Sequence, residues 1–218
     1  MPTTKILLIR HGETDANRGR VFQGQTGLGL NARGKAQAQL LADRLATANM
    51  KLDALYSSDL QRAWETAEFV GTRLDVCPIP EPGLREVFLG AWQGLSYDEV
   101  AQQFPDEWTA WRRGEDLRRG GGENYVDLQT RMMTTLDRLV RAHSGATLGV
   151  VSHGAAIKLF VAGVLGIEMA RLPYFHVASN TAVTVVAREP DGDWDLLIWN
   201  DARHLPNDPL AEAFLEDA

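Results

Sequence analysis

Two histidines in this sequence each follow a short apolar run and precede a glycine. His11 comes after the run at 5–10, and His153 comes after the run at 147–152. A neutral imidazole, with an ordinary pKa of about 6.5, is a competent nucleophile at neutral pH. A neighbouring glycine lets a phosphate approach the backbone closely. Taken alone, a histidine at a strand end is more typical of a hydrogen-bonded structural residue, so the assignment depends on other segments.

Four blocks of residues, in a fixed order along the chain, supply that support. They are Arg10–Asn17, Ser57–Ala67, Leu84–Glu86 and Val151–Gly154. In this order they resemble the signature of the histidine phosphatase superfamily, which is also called the phosphoglycerate mutase-like superfamily. Shorter family-like blocks are Phe22–Gly24, Gly90–Gly94, Gly121–Glu123 and Asn180–Thr181, so the resemblance runs from about residue 5 to residue 204. The loop Thr26–Asn31 departs from the family pattern, which leaves its substrate contacts open.

The resemblance implies a catalytic set of five residues. His11 would attack phosphorus and form a phosphohistidine, which water then hydrolyses. Arg10 and Arg62 would neutralise the charge on the transferring phosphoryl group, because a planar guanidinium donates two parallel hydrogen bonds to phosphate. His153 would be a further donor across the pocket. Glu86 would protonate the departing alkoxide and afterwards activate water.

Three more residues are predicted to bind substrate by the same resemblance. They are Asn17, Gln23 and Gly24. They would line the phosphate site or orient its loop, although either of the two amides could instead cap a turn. Glu13 is an alternative to Glu86 as the acid, because it lies close to His11 in sequence. The remaining histidines match no catalytic block and are predicted to be structural or solvated; they are His143, His176 and His204.

These residues predict a metal-independent phosphomonoester hydrolase that uses no metal and no cofactor and acts on a small phosphorylated metabolite. The alternative within the superfamily is a cofactor-dependent phosphoglycerate mutase. The blocks at 84–86, 90–94 and 121–123 are more similar to broad-specificity, α-ribazole and glucosyl-3-phosphoglycerate phosphatases, so the phosphatase is favoured. A non-catalytic phosphate-binding module is a third alternative, but such a protein would be expected to have lost a catalytic residue.

Two other motifs point to different chemistry and are weaker. Gly27–Ala32 has the glycine spacing of a dinucleotide-binding fingerprint, but the segment before it is not strand-like. Ser152 precedes His153, but a nucleophilic serine of the hydrolase type needs a glycine two residues earlier, where this chain has Val150. Neither a nucleotide cofactor nor a serine hydrolase is predicted.

The segment 88–122 is rich in aromatic and arginine residues. They are Trp92, Tyr97, Phe104, Trp108, Trp111, Arg112, Arg113, Arg118 and Arg119. One interpretation is two short helices that pack aromatic side chains on the core and leave the arginines in solvent. The other is a cap over the pocket, in which some arginines meet a second anionic group of the substrate.

The elements that must position these residues follow from apolar spacing. Strands are predicted at 5–10, 53–57, 147–152, 182–187 and 195–199, the last two joined by a turn at 189–192. Helices are predicted at about 32–48 with Asn31 as N-cap, from a Ser58/Gln61 capping box to about 74, at about 123–143 and at about 155–165. Strands alternating with helices predict an α/β fold, namely a three-layer α/β/α sandwich with a mainly parallel sheet. We expect a single domain over 1–218 with a small helical cap insertion at about 88–122.

The composition excludes several classes of protein. A formal net charge of −7 argues against a nucleic-acid surface, and the apolar runs are too short for a signal peptide or a membrane span. The one cysteine, Cys77, permits no disulfide within the chain and fits a reducing compartment, so a cytoplasmic location is expected. A homodimer is possible by analogy with the family.

Overall fold

The computed structural model describes residues 2–175, 179–189 and 191–206. Its strands are β1 (Thr4–Arg10), β2 (Ala54–Ser57), β3 (Pro78–Pro80), β4 (Thr147–Ser152), β5 (Val183–Arg188) and β6 (Trp194–Asp201). Its α-helices are α1 (Asp15–Arg18), α2 (Ala32–Thr47), α3 (Gln61–Leu74), α4 (Tyr97–Gln103), α5 (Pro105–Arg112), α6 (Tyr125–Ala142) and α7 (Gly154–Val164). Short 3₁₀ turns lie at Pro82–Leu84, Gly90–Trp92, Arg119–Gly121 and Met169–Tyr174.

The six strands form one sheet in the order β3-β2-β4-β1-β5-β6. The pairs that join β3, β2, β4 and β1 are parallel, whereas β5 and β6 add an antiparallel edge. The predicted mainly parallel sheet is therefore confirmed. Within the described part of the chain, no helix is long and apolar enough to cross a membrane.

Side chains of β1 alternate between two apolar cores, because successive residues of a strand point to opposite faces. Ile6 and Leu8 belong to the core that contains apolar residues of α6 and α7, and Leu7 and Ile9 belong to the core that contains those of α2 and α3. All four are almost fully buried. A strand with two buried faces reads as a continuous apolar run, and the three-layer arrangement follows.

Helix starts agree with the sequence except at α3. Asn31 caps α2 as predicted, since its side chain accepts a hydrogen bond from the Gly34 N–H. The predicted capping box between Ser58 and Gln61 is wrong: α3 begins at Gln61, and Leu60 occupies the N-cap without a side-chain bond. The Ser58 hydroxyl accepts from the Leu60 N–H, at 3.3 Å, and also lies 2.8 Å from Nε2 of His153, which follows β4.

Segment 88–122 folds into α4, α5 and two 3₁₀ turns, and its aromatic rings pack around Phe22. The ring of Phe22 is 4.5 Å from that of Tyr97 and 5.1 Å from that of Trp92, which is fully buried. This agrees with the packing interpretation for the aromatic residues. The same interpretation leaves the arginines in solvent, which is wrong for Arg119. This side chain is only 4% exposed and lies over the ring of Tyr125.

Candidate functional site

The carboxyl ends of three neighbouring strands carry the polar residues of the site. His11 follows β1, Ser58 follows β2, and His153 follows β4. Arg10 and Ser152 are paired in the parallel register of β1 and β4, which brings the two histidines side by side. Their ring centroids are 5.1 Å apart, and both side chains are buried.

The ring of His11 is held in one tautomer. Its Nδ1 is 2.7 Å from the carbonyl oxygen of Gly12, and because a carbonyl only accepts, Nδ1 carries the proton. The lone pair therefore lies on Nε2. Burial, with smaller effects from the charges of Arg62 and Arg10, holds the pKa of His11 well below its usual range. A neutral imidazole with a free lone pair is the form that a nucleophile requires.

Arg62 lies in the first turn of α3, as predicted, and its side chain is only 2% exposed. Its two terminal nitrogens donate to the carbonyl oxygens of Gly24 and Thr26 at 2.7 and 2.8 Å. Burial lowers the pKa of Arg62 to about 10, while the charge of Glu86 opposes that shift. The guanidinium is thus still a cation at neutral pH, fixed in position beside His11.

Gly12 has a packing role that the sequence did not indicate. A Cβ atom at this position would lie 2.5 Å from the carbonyl oxygen of Gly34, far inside van der Waals contact. The Gly12 N–H donates to the hydroxyl of Thr66, which itself donates to the carbonyl of Arg62. Gly12 therefore allows α2 to approach the loop after β1, and Thr66 links that loop to the helix that carries Arg62.

Glu86 lies at the amino end of α7. One carboxylate oxygen accepts from the N–H of Ala155 and the other from that of Ala156, both at 3.1 Å. Burial lowers the pKa of both Arg10 and Arg62, and the charge of Glu86 opposes that shift in each, so this carboxylate faces the same pocket. Its backbone carbonyl accepts from the guanidinium of Arg131 at 3.2 Å.

Glu13, the alternative acid, has its carboxylate engaged at the start of α2. Its carboxylate accepts from the Asn31 amide at 2.9 Å and lies 3.5 Å from the exposed side chain of Arg33. The structure therefore groups Glu86, and not Glu13, with Arg10 and Arg62.

His153 occupies the far side of the pocket. Its Nε2 lies 2.8 Å from the Ser58 hydroxyl, and its Nδ1 is buried without a hydrogen-bond partner. Burial, followed by the charge of Arg62, holds the pKa of His153 well below its usual range. Ser58 was not predicted as a site residue, although its place at a strand end could have indicated it.

The three predicted substrate-binding residues contact the site in different ways. Asn17 and Thr14 form a capping box around α1, and the Asn17 amide oxygen lies 3.4 Å from Nδ2 of Asn180. Gln23 donates to the Thr14 hydroxyl at 2.8 Å, while its own amide oxygen is buried without a partner. Gly24 has a positive φ of 54°, and its carbonyl oxygen accepts a hydrogen bond from Arg62.

Two residues that the sequence left without a role support the backbone of the site. The Asn180 side chain donates to the His11 carbonyl at 2.9 Å, and the Thr181 N–H donates to the Arg10 carbonyl at 3.0 Å. Asn180 and Thr181 form one of the short family-like blocks, and this is the signal in the sequence that indicates them. Arg131 carried no signal of that kind.

The other histidines make structural contacts where they are described. His143 lies 2.8 Å from the Tyr56 hydroxyl, and His204 lies 2.8 Å from that of Thr181. His176 lies outside the described residues. Among the residues that the structure covers, no group of three or more His, Cys, Asp or Glu side chains could hold a metal ion.

A family profile described as the histidine phosphatase superfamily (branch 1) matches residues 6–202. The chain belongs to this family. The predicted family and the predicted class of enzyme are confirmed. Phosphoglycerate mutase-like protein 4 of Arabidopsis thaliana is 37% identical over 208 residues, which cover 92% of this chain and 86% of the relative.

Two further relatives have names that specify a substrate. The metal-independent phosphoserine phosphatase of Arabidopsis thaliana is 34% identical and matches 93% of this chain and 83% of its own length. The crystal structure of phosphoserine phosphatase in complex with 3-phosphoglyceric acid, from Entamoeba histolytica, superposes with a TM-score of 0.81 at 29% identity. It covers 93% of this chain and 100% of the other. The histidine phosphatase fold is thereby established.

Proposed function

We propose that this histidine phosphatase hydrolyses small phosphomonoesters through a phosphohistidine at His11, without a metal ion. The observation that carries the proposal is the neutral His11 ring, with Nδ1 tied to the Gly12 carbonyl and Nε2 left to attack. The two phosphoserine phosphatases described above, one from Arabidopsis thaliana and one from Entamoeba histolytica, support hydrolysis as the outcome.

The pocket matches the needs of phosphoryl transfer. Catalysis of this reaction depends mainly on holding nucleophile and leaving group in line and on neutralising the oxygens of the transferring group. Arg10 and Arg62 supply two cations, and His153 supplies a further polar group opposite His11. We assign these charges to phosphate binding and assign Asn17, Gln23 and Gly24 to orienting the phosphate-binding loops.

Glu86 is the acid and base in this proposal. Its carboxylate accepts N–H groups from the first turn of α7, so it is held at the edge of the pocket in a fixed position. In the first step it gives a proton to the departing alkoxide, and in the second it removes one from the water that attacks the phosphohistidine.

The test compares wild type with His11→Ala in the presence of EDTA, on a panel of phosphomonoesters that includes 3-phosphoglycerate. Phosphorus NMR follows both free phosphate and phosphate moved to another oxygen. We expect free phosphate from wild type alone. A His143→Ala variant is the matched control, because His143 contacts Tyr56 and lies away from the pocket, and it should retain activity.

Other outcomes would change the assignment in defined ways. Conversion of 3-phosphoglycerate into 2-phosphoglycerate, with little free phosphate, would replace hydrolysis by a mutase reaction. Equal turnover by wild type and His11→Ala would refute the nucleophile. A complete lack of turnover by wild type would refute the proposed hydrolysis of small phosphomonoesters.

A further inference from the structure

A cavity of about 250 Å³ opens beside Arg10 and follows the first turns of α7. Gly154, Ala155 and Lys158 line it along the helix, and Leu172 and Tyr125 line it from other elements. The N–H of Ala155 is one of the donors to Glu86. The cavity therefore begins where the proposed acid meets a leaving group.

A second cavity, of about 220 Å³, shares Tyr125, Lys158 and Leu172 with the first and extends to Trp111 and Arg112. Within the described residues, neither cavity is lined by an aspartate or a glutamate. The charged side chains in their walls are all cations, in a chain whose net charge is −7. Such a local excess of positive charge favours an anion.

Lys158 is the cation at the centre of this space. It is half-buried, and burial lowers its pKa, with no described acidic side chain to offset the effect. Burying an ammonium group without a counter-charge is unfavourable. A ligand that brings a negative charge into the cavity would relieve that cost, because an opposite charge favours the protonated form.

Tyr125 offers a second donor to the same space. Its hydroxyl oxygen accepts from Trp111 Nε1 at 3.1 Å and from Arg119 Nη1 at 3.4 Å. A hydroxyl has two lone pairs and one proton, so with both lone pairs engaged it acts toward a ligand as a donor. The guanidinium of Arg119, 4.2 Å from the ring centroid, also fixes the ring in place.

From this geometry we infer that Lys158 and Tyr125 form a subsite for an anionic leaving group, and that the enzyme prefers phosphomonoesters whose alcohol carries a carboxylate. This inference rests on the proposed phosphatase function. Lys158 lies four residues beyond Gly154, which corresponds to a rise of about 6 Å along the helix. The subsite therefore suits an alcohol of a few carbons, with its carboxylate one helical turn away from the phosphate.

The test uses two substrates that differ in the proposed recognition group. 3-Phosphoglycerate carries the carboxylate, and glycerol 3-phosphate carries a neutral hydroxymethyl group in its place. The measured quantity is the ratio of kcat/KM for the first substrate to kcat/KM for the second. Lys158→Met keeps the length of the apolar stem beside Leu159 and Leu172, and should lower this ratio by roughly 10- to 100-fold, which corresponds to one hydrogen bond to a charged group.

Companion variants separate the subsite from general damage. Tyr125→Phe keeps the ring under Arg119 and should lower the ratio by roughly 10- to 100-fold, because its hydroxyl also donates to the charged carboxylate. Lys158→Arg should restore most of the preference. Lys51→Met removes an exposed lysine and should leave the ratio unchanged.

Each result has a distinct meaning. If wild type hydrolyses both esters but neither Lys158→Met nor Tyr125→Phe changes the ratio, the subsite is refuted while the proposed function stands. Equal losses on both substrates would also refute it, because they would indicate a structural role. If wild type hydrolyses other phosphomonoesters but not 3-phosphoglycerate, the subsite is refuted, whereas a lack of turnover on every phosphomonoester of the panel would refute the proposed function itself.

Discussion

Mild acid is expected to destabilise this protein through two buried histidines. Burial holds the pKa of both His11 and His153 well below the ordinary value. Below pH 6.5 the unfolded chain therefore binds more protons than the folded chain. Stability rises with pH wherever the unfolded state binds more protons, so the free energy of unfolding must fall as the pH is lowered.

The magnitude follows from proton linkage. For a histidine that ionises only in the unfolded state, with a pKa of about 6.5, lowering the pH from 7.5 to 5.5 costs about 1.4 kcal/mol. Two such residues together cost about 2.7 kcal/mol over the same range. Carboxylates with lowered pKa values, such as Asp59, contribute mainly at lower pH because their unfolded pKa is about 4.

Urea unfolding at pH 7.5, 6.5 and 5.5 measures this loss directly. Changing either histidine to Asn should halve the pH dependence, and the double variant His11→Asn with His153→Asn should remove the part that these residues contribute. A wild-type free energy that does not change over this range would refute the argument. So would a dependence that survives undiminished in the double variant.

Three further predictions concern activity and packing. Glu86→Gln should lower kcat by roughly 10²- to 10⁴-fold, the usual contribution of general acid–base catalysis; its matched control Glu13→Gln should keep most of the rate, and comparable losses in initial-rate assays would contradict the assignment of the acid. In a pH-rate profile, the apparent pKa of the acid limb of kcat/KM should lie below 6.5, because burial lowers the pKa of His11. An apparent pKa above 6.5 would contradict a buried neutral nucleophile. Gly34→Ala should destabilise the fold by about 1–3 kcal/mol, because the new methyl group would lie 2.1 Å from the Glu13 carbonyl oxygen; thermal unfolding should show a clearly lower Tm, and an unchanged Tm would show that α2 and the loop after β1 can separate freely.

Periodicity and strand ends predicted the layers of the fold and the edge of the sheet at which the site lies. The run at 5–10 has no alternation, and for that reason it indicated a strand buried on both faces. Periodicity could not predict which partners individual side chains contact. Ser58 fits a local capping box by spacing, but its hydroxyl bonds His153, which is 95 positions away.

The proposed catalytic acid shows the same limit. Glu13 is near His11 along the chain, whereas Glu86 reaches the pocket only because α7 begins beside it. Arg131, which binds the Glu86 backbone, comes from α6 and had no local motif. Such long-range contacts depend on tertiary packing, and only the resemblance to a family selected Glu86 in advance.

The elements that hold the proposed nucleophile are largely different from those that line the cavity beside it. His11 and Arg62 depend on β1, α3 and the Thr66 bridge, while the outer wall of the cavity comes from α5, α6 and the turn at Met169–Tyr174. Substitutions in that wall can alter which alcohol is accepted without displacing the reacting atoms. Mutational drift could therefore diversify selectivity within such a scaffold while the chemical step is inherited unchanged.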